Sequence, residues 1–170
     1  KLYLARPSKD KVLAFQAAGH TDPGQVVIKS FALEEGSTLP QIVRESRALE
    51  CASRLGLVLE HELEGGSFHY VMPYVPGERL DEVTRRMHER SAAGLDRRQL
   101  SQVLAFTADL LHSLDRFHSG GLWHKDIKPS NIIVSEGRVH LVDLGLITPL
   151  RSAMTLTTHG TEYFRDPELV

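Results

Sequence analysis

The sequence predicts an α+β fold, with an antiparallel sheet plus one helix over residues 1–75 and a mainly helical part from residue 76 onward. Three observations predict it. Short apolar runs separated by glycine- and proline-containing turns fill the first part. Apolar residues recur at helical spacing in Leu80 to Glu89 and in Gln99 to His118. Pro76-Gly77 marks the change of character between the two.

The elements follow in order. Lys1 to Ala5 alternates and reads as a strand, Lys11 to Ala17 as a weaker strand, and Gln25 to Phe31, around Val26-Val27-Ile28, as a third. Gly19 to Gly24 is a turn by composition. Pro40 opens a helix with Ile42, Val43, Ala48, Leu49, Ala52 and Leu55 at helical spacing, and Gly56 ends it. Leu57 to Leu63 and Phe68 to Val75 form a hairpin across Glu64-Gly65-Gly66-Ser67. Ser91 to Gly94 links the two later helices, and Gly120-Gly121 terminates the longer one. Asn131 to Val134 and Val139 to Val142 form a second hairpin across Glu136-Gly137, and Ile147 to Arg165, rich in threonine, reads as a surface loop.

Composition bounds the function. The chain has 170 residues, 20 Lys plus Arg against 22 Asp plus Glu, and a net charge of −2, which argues against a general nucleic-acid or membrane-surface binder. The single cysteine, Cys51, closes no intramolecular disulfide and points to a reducing, cytoplasmic setting. No apolar run approaches the roughly 20 residues that span a bilayer, and Lys1 to Ala18 has no continuous apolar core of a signal peptide. Taken alone, these figures suit one ordinary soluble domain.

The chemistry concentrates in His124-Lys125-Asp126-Ile127-Lys128-Pro129-Ser130-Asn131 and, after the second hairpin, in Asp143-Leu144-Gly145. Carboxylate and amide oxygens at Asp143 and Asn131 suit magnesium, which takes hard oxygen ligands from one or two protein groups together with phosphates. Asp126 is of the type that accepts a proton from an attacking hydroxyl, and Lys128 offsets charge on a transferred phosphoryl group.

These residues resemble a known family. His124 to Asn131 is similar to the catalytic loop of eukaryotic-type (Hanks-type) serine/threonine protein kinases, and Asp143-Leu144-Gly145 to their metal-binding D-F-G. Gly160-Thr161-Glu162-Tyr163-Phe164-Arg165-Asp166-Pro167-Glu168 resembles the end of the activation segment, and Val26-Val27-Ile28-Lys29 the strand motif V-A-I-K. The resemblance implies a two-lobed fold, with 1–75 as a small lobe lacking its glycine-rich loop and 76–170 as the first part of the large lobe, bearing the catalytic loop and activation segment. It therefore describes the middle of a larger domain, incomplete at both ends, and exposed apolar patches are expected on Gln99 to Phe117.

The same resemblance assigns roles. Lys29 would hold the ATP α- and β-phosphates, oriented by an ion pair with Glu45, chosen over Glu50 because Ala48, Leu49 and Ala52 follow it at inward-facing spacing. Val27 and Ile133 would sandwich adenine, Met72 would be the gatekeeper, and the backbone of Pro73 to Val75 would meet the base. Asp126 would be the catalytic base, Lys128 would touch the γ-phosphate, and Asn131 and Asp143 would hold Mg²⁺. Thr161 would contact Asp126 and Lys128, and Thr155, Thr157 and Thr158 are candidates for phosphorylation. The implied partner is a protein with a Ser or Thr acceptor. The oligomeric state is not legible.

Each fragment alone has an ordinary reading. A lone D-L-G is a turn at a strand end, and a lone V-V-I-K is a strand with one exposed lysine. The eight-residue loop, joined by the other segments in matching order, is what carries the resemblance. His112, His118 and His140 read as surface residues and His124 as a packing histidine, with no histidine in a metal role. Arg85-Arg86 and Arg97-Arg98 read as a solvated face, and Cys51 as a buried or half-buried small residue. Lys125 stands where the family has arginine, which keeps the charge without the bidentate fork. Two alternatives remain: a pseudokinase or nucleotide-binding module that keeps the fold without phosphotransfer, and a small-molecule phosphotransferase of kinase-like fold.

Overall fold

The computed structural model describes residues 1–32, 39–91, 94–143 and 148–149, with the side chains of residues 31, 32, 39–46, 68, 148 and 149 outside that description. The chain divides into two compact units, Lys1–Tyr74 and Val75–Val170.

The first unit contains β1 (Leu2–Ala5), α1 (Lys9–Ala17), β2 (Val26–Ala32), α2 (Leu39–Arg54), β3 (Glu60–Glu64) and β4 (Ser67–Pro73). The strands make one antiparallel sheet in the order β1-β2-β4-β3. The expected strand over Lys11 to Ala17 is instead the helix α1. Ser8 caps it by accepting from the Lys11 amide at 3.3 Å, and the following Lys, Leu, Ala and Gln are good helix formers. Only Phe15 is buried in it, and the continuous apolar run Val12 to Phe15 does not separate the two periods.

Phe15 packs with Val26 and Leu59, and Ala5 and Val71 flank them. Residues directly opposite one another across paired strands share a face. Ala5 lies opposite Val26 and Ile28 opposite Val71, so α1 covers the face that carries these positions. The other face carries Leu4, Val27 and Met72 in one cross-strand row and Leu2, Lys29 and Tyr70 in the next. A Lys11–Glu60 ion pair at 2.7 Å links α1 to β3, but both side chains are largely exposed and the pair contributes little.

Helix α2 buries Ala48, Leu49 and Ala52, the inward positions of the periodic pattern. The hairpin strand β3 starts at Glu60 and not at Leu57. Val58 and Leu59 precede it as buried residues in irregular backbone.

The second unit contains β5 (Glu78–Arg79), α3 (Leu80–Glu89), α4 (Arg97–Ser119), β6 (Leu122–Trp123), β7 (Ile132–Ser135), β8 (Arg138–Leu141) and β9 (Thr148–Pro149). Helix α4 begins two residues before the expected start because Asp96 forms a capping box: the Gln99 amide donates to Asp96 Oδ1 at 2.7 Å, and the Asp96 amide to Gln99 Oε1 at 2.8 Å. It buries Phe106 and Phe117 and leaves Leu100, Leu104 and Leu111 exposed, the apolar patch expected there.

Strands β5, β7 and β8 form a three-stranded sheet in that order, and β6 pairs with β9. The turn between β7 and β8 has positive φ at both Glu136 (50°) and Gly137 (77°), the geometry of a tight hairpin. Gly77 lies against β7 so closely that a Cβ there would stand 2.3 Å from the Val134 carbonyl oxygen and 2.8 Å from Ile133 Cγ2. The expected loop from Ile147 to Arg165 is corrected at Thr148–Pro149, which is a strand held by Leu122 and Trp123. The rest of that stretch lies outside the described residues. Among the described residues no helix is long and apolar enough to cross a membrane.

Candidate active site

Between β6 and β7 the chain passes through a 3₁₀ turn at Pro129–Asn131. Proline at the first position supplies the required φ, the Asn131 amide donates to the Lys128 carbonyl at 2.9 Å, and the Ile132 amide to that of Pro129. This turn carries Asn131 back over Asp126. The Asn131 side-chain nitrogen donates to the Asp126 carbonyl oxygen and to its Oδ2, each at 2.9 Å. Lys128 Nζ reaches the same Oδ2 at 3.0 Å. The side chains of Asp126 and Lys128 are 12% and 24% exposed, so their ion pair is screened less than a surface pair.

His124 is buried, and it joins this loop to the strand that leads to Asp143. The Asp126 amide donates to His124 Nδ1 at 3.3 Å, and Nε2 lies 3.0 Å from the Val142 carbonyl oxygen. A carbonyl only accepts, so the hydrogen sits on Nε2. The Phe117 ring meets the imidazole edge-on at 5.5 Å, which fixes its plane. On the other side, the Val142 amide donates to the Asn131 carbonyl at 2.8 Å. The residue before Asp143 is thus tied to both ends of the loop.

Two non-glycine residues of this region have left-handed backbone, Lys125 with φ 63° and Asp143 with φ 61°. Such conformations cost on the order of 1 kcal/mol each and persist where neighbouring contacts over-determine them, as the His124 and Asn131 bonds do here.

The residues expected in the site divide between the units. In the first unit, Val27 and Met72 are direct cross-strand partners, and Lys29 shares their face in the next row opposite Tyr70. Pro73 ends β4 opposite Val26, on the other face. Glu45 lies in α2, and its side chain is outside the described residues. In the second unit, Asp126, Lys128 and Asn131 form the contacting cluster, with Asp143 one residue beyond Val142. Val75 is half-buried, and Ile133 lies in β7 opposite Arg79, beside Gly77. Thr155, Thr157, Thr158 and Thr161 lie outside the described residues. Sequence reasoning gave His124 only a packing role and missed its bridge from Asp126 to Val142. It also missed the close approach of Gly77, for which a glycine after a proline at the boundary was the available signal.

Chemically, the cluster offers a carboxylate held in place by an amide and an ammonium group, able to take a proton from a hydroxyl brought to it. Because the Asn131 nitrogen is committed to Asp126, Oδ1 is the atom it can offer a cation. That oxygen and the Asp143 carboxylate are each donors of the hard type that magnesium takes.

A family profile described as the protein kinase domain matches residues 13–170. The chain is 28% identical over 150 residues to CBL-interacting serine/threonine-protein kinase 21 of Arabidopsis thaliana, covering 86% of this chain and 34% of that protein. It is 30% identical over 151 residues to serine/threonine-protein kinase STE20 of Yarrowia lipolytica, covering 85% of this chain and 12% of that protein. With serine/threonine-protein kinase PknG of Mycolicibacterium smegmatis it shares 32% identity over 114 residues, 66% of this chain and 13% of that protein. The chain thus spans about a third or less of each of these relatives, and the match begins within α1 and runs through both units. It belongs to the protein kinase domain family.

Proposed function

We propose that the chain is the core of a serine/threonine protein kinase that transfers the γ-phosphate of ATP to a protein hydroxyl, with Asp126 as the base. The observation that carries this reading is the cluster in which Asn131 and Lys128 both hold Oδ2 of Asp126. The names of the similar kinases support the Ser/Thr acceptor, as does a lysine two residues after the base.

In this reading the first unit is the small lobe and the second the first part of the large lobe. Val27 and Met72 contact adenine, the backbone of Pro73 to Val75 binds its edge, and Ile133 packs beneath it. Lys29 binds the α- and β-phosphates from the same sheet face as Val27 and Met72, with Glu45 as its orienting partner. Asn131 and Asp143 hold magnesium, which offsets charge on the phosphates when bound. Asp126 accepts the proton of the attacking hydroxyl, and Lys128 draws the transferred phosphoryl group toward it. Thr161 contacts the loop, and Thr155, Thr157 and Thr158 accept regulatory phosphate. Cys51, the single cysteine, suits a reducing cytoplasm.

The test uses the full-length protein that contains this chain. Magnesium-dependent stabilisation by ATP, read as a thermal shift, together with transfer of labelled phosphate to a Ser/Thr protein substrate, is the expected result. ATP binding without transfer under any condition would favour a nucleotide-binding module. Absence of both would remove the reading.

A further inference from the structure

In the middle of helix α4, Asp109 hydrogen-bonds to strand β8 of the β7–β8 hairpin. Its Oδ2 accepts from the backbone amide of Val139 at 3.3 Å, and its Oδ1 from Arg138 Nη2 at 2.9 Å. Among the described residues strand β8 is the edge of its sheet, since the order is β5-β7-β8. The carboxylate therefore does for this edge what a further strand would do, taking an amide that β7 does not.

The two bonds are unequal. Arg138 is 69% exposed, and an ion pair to so exposed a partner contributes little. Val139 is buried, and a buried amide that loses its acceptor is left with an uncompensated donor. Position, and not charge, is what Asp109 supplies. From Val139 the strand runs through Leu141 to Val142, which bonds to Asn131 and His124, and then to Asp143, roughly 13 Å along extended chain. Phe117, two turns further along α4, contacts His124. The helix therefore holds the hairpin at its closed end and the loop at its open end.

We propose that Asp109 is a positioning residue for the magnesium-binding arm: by fixing β8 against α4 it sets where Asp143 stands relative to Asn131. This rests on the proposed function above for what the arm binds, whereas the tie between Asp109 and β8 is a property of the chain itself.

The experiment compares Asp109→Asn, Asp109→Glu and Arg138→Gln in the full-length protein. Two quantities are read: amide hydrogen exchange at Val139 and Leu141 without nucleotide, and the magnesium concentration that half-saturates ATP binding. Asparagine keeps an acceptor in place, and Arg138→Gln keeps the carboxylate, so both should behave like wild type. Glutamate keeps the charge but moves the acceptor by one methylene, so exchange at Val139 should accelerate and the half-saturating magnesium concentration should rise about fivefold, the scale of one net hydrogen bond. Wild-type behaviour of Asp109→Glu would overturn the proposal, as would a rise in Asp109→Asn or Arg138→Gln equal to that in Asp109→Glu. A wild-type protein that binds no ATP would count against the proposed function, and the exchange data alone would then decide whether Asp109 anchors β8.

Discussion

The side-chain nitrogen of Asn131 donates to both the backbone carbonyl and Oδ2 of Asp126, at 2.9 Å in each case. One amide thereby fixes both the backbone and the carboxylate of the proposed base, and it faces its own oxygen away from that task.

Replacing Asn131 with leucine removes the restraint on Asp126 and an oxygen ligand together. Phosphate transfer should fall by about 100-fold or more and require more magnesium, because removal of a group that orients or binds a metal typically weakens the site by that order. Steady-state kinetics over a magnesium series check it. An unchanged rate at every magnesium concentration would separate Asn131 from the chemistry.

Gly77 has no room for a methyl group, since its Cβ would stand 2.3 Å from the Val134 carbonyl oxygen, and its φ of 153° lies where L-residues are strained. Gly77→Ala should destabilise the protein by about 1–3 kcal/mol, the usual cost of forced overpacking, and loosen the seat of Ile133. Chemical denaturation reads the first effect and ATP affinity the second.

Phe15 is 4% exposed and is the one buried residue of α1. Phe15→Ala should cost about 3–5 kcal/mol, as large-to-small changes in a packed core do. A denaturation midpoint equal to that of wild type would show that α1 does not close the core over Val26 and Leu59.

Asp81 and Arg79 form a hydrogen-bonded ion pair at the start of α3. The Arg79 guanidinium holds the Asp81 carboxyl below its ordinary value of 3.8. A carboxyl lowered by folding stabilises the folded state above that ordinary value, and the contribution disappears as pH falls through the lowered one. Both groups are exposed, so the effect is small and acid-specific. Carboxyl NMR should find Asp81 titrating below its ordinary value of 3.8, and Arg79→Gln should move it up. A titration unaltered by Arg79→Gln would contradict the assigned cause.

The second hairpin was legible because two apolar runs flank Glu136-Gly137, and α4 because its period holds over many turns. Lys11 to Ala17 is a helix and not the expected strand because the continuous apolar run Val12 to Phe15 fits either period, and the decision lay with the Ser8 cap. Strands β5 and β6 are two residues each, too short for any period to register. In the candidate site, Asp126, Lys128 and Asn131, which the fold brings into contact, could be picked out by type and spacing. The tie from His124 to Val142 could not, because its acceptor is a backbone carbonyl, which leaves no mark in a sequence. Asp109 escaped notice for the same reason, as its principal partner is the Val139 amide.

The central claim is that Asp126 takes the proton of the acceptor hydroxyl. Its most direct test is the rate of phosphate transfer by Asp126→Asn beside wild type, with ATP binding measured on the same samples. The account predicts transfer reduced by about 10²- to 10⁴-fold, the contribution of general base catalysis, with ATP binding retained. Transfer at the wild-type rate by a folded, ATP-binding Asp126→Asn protein would contradict it.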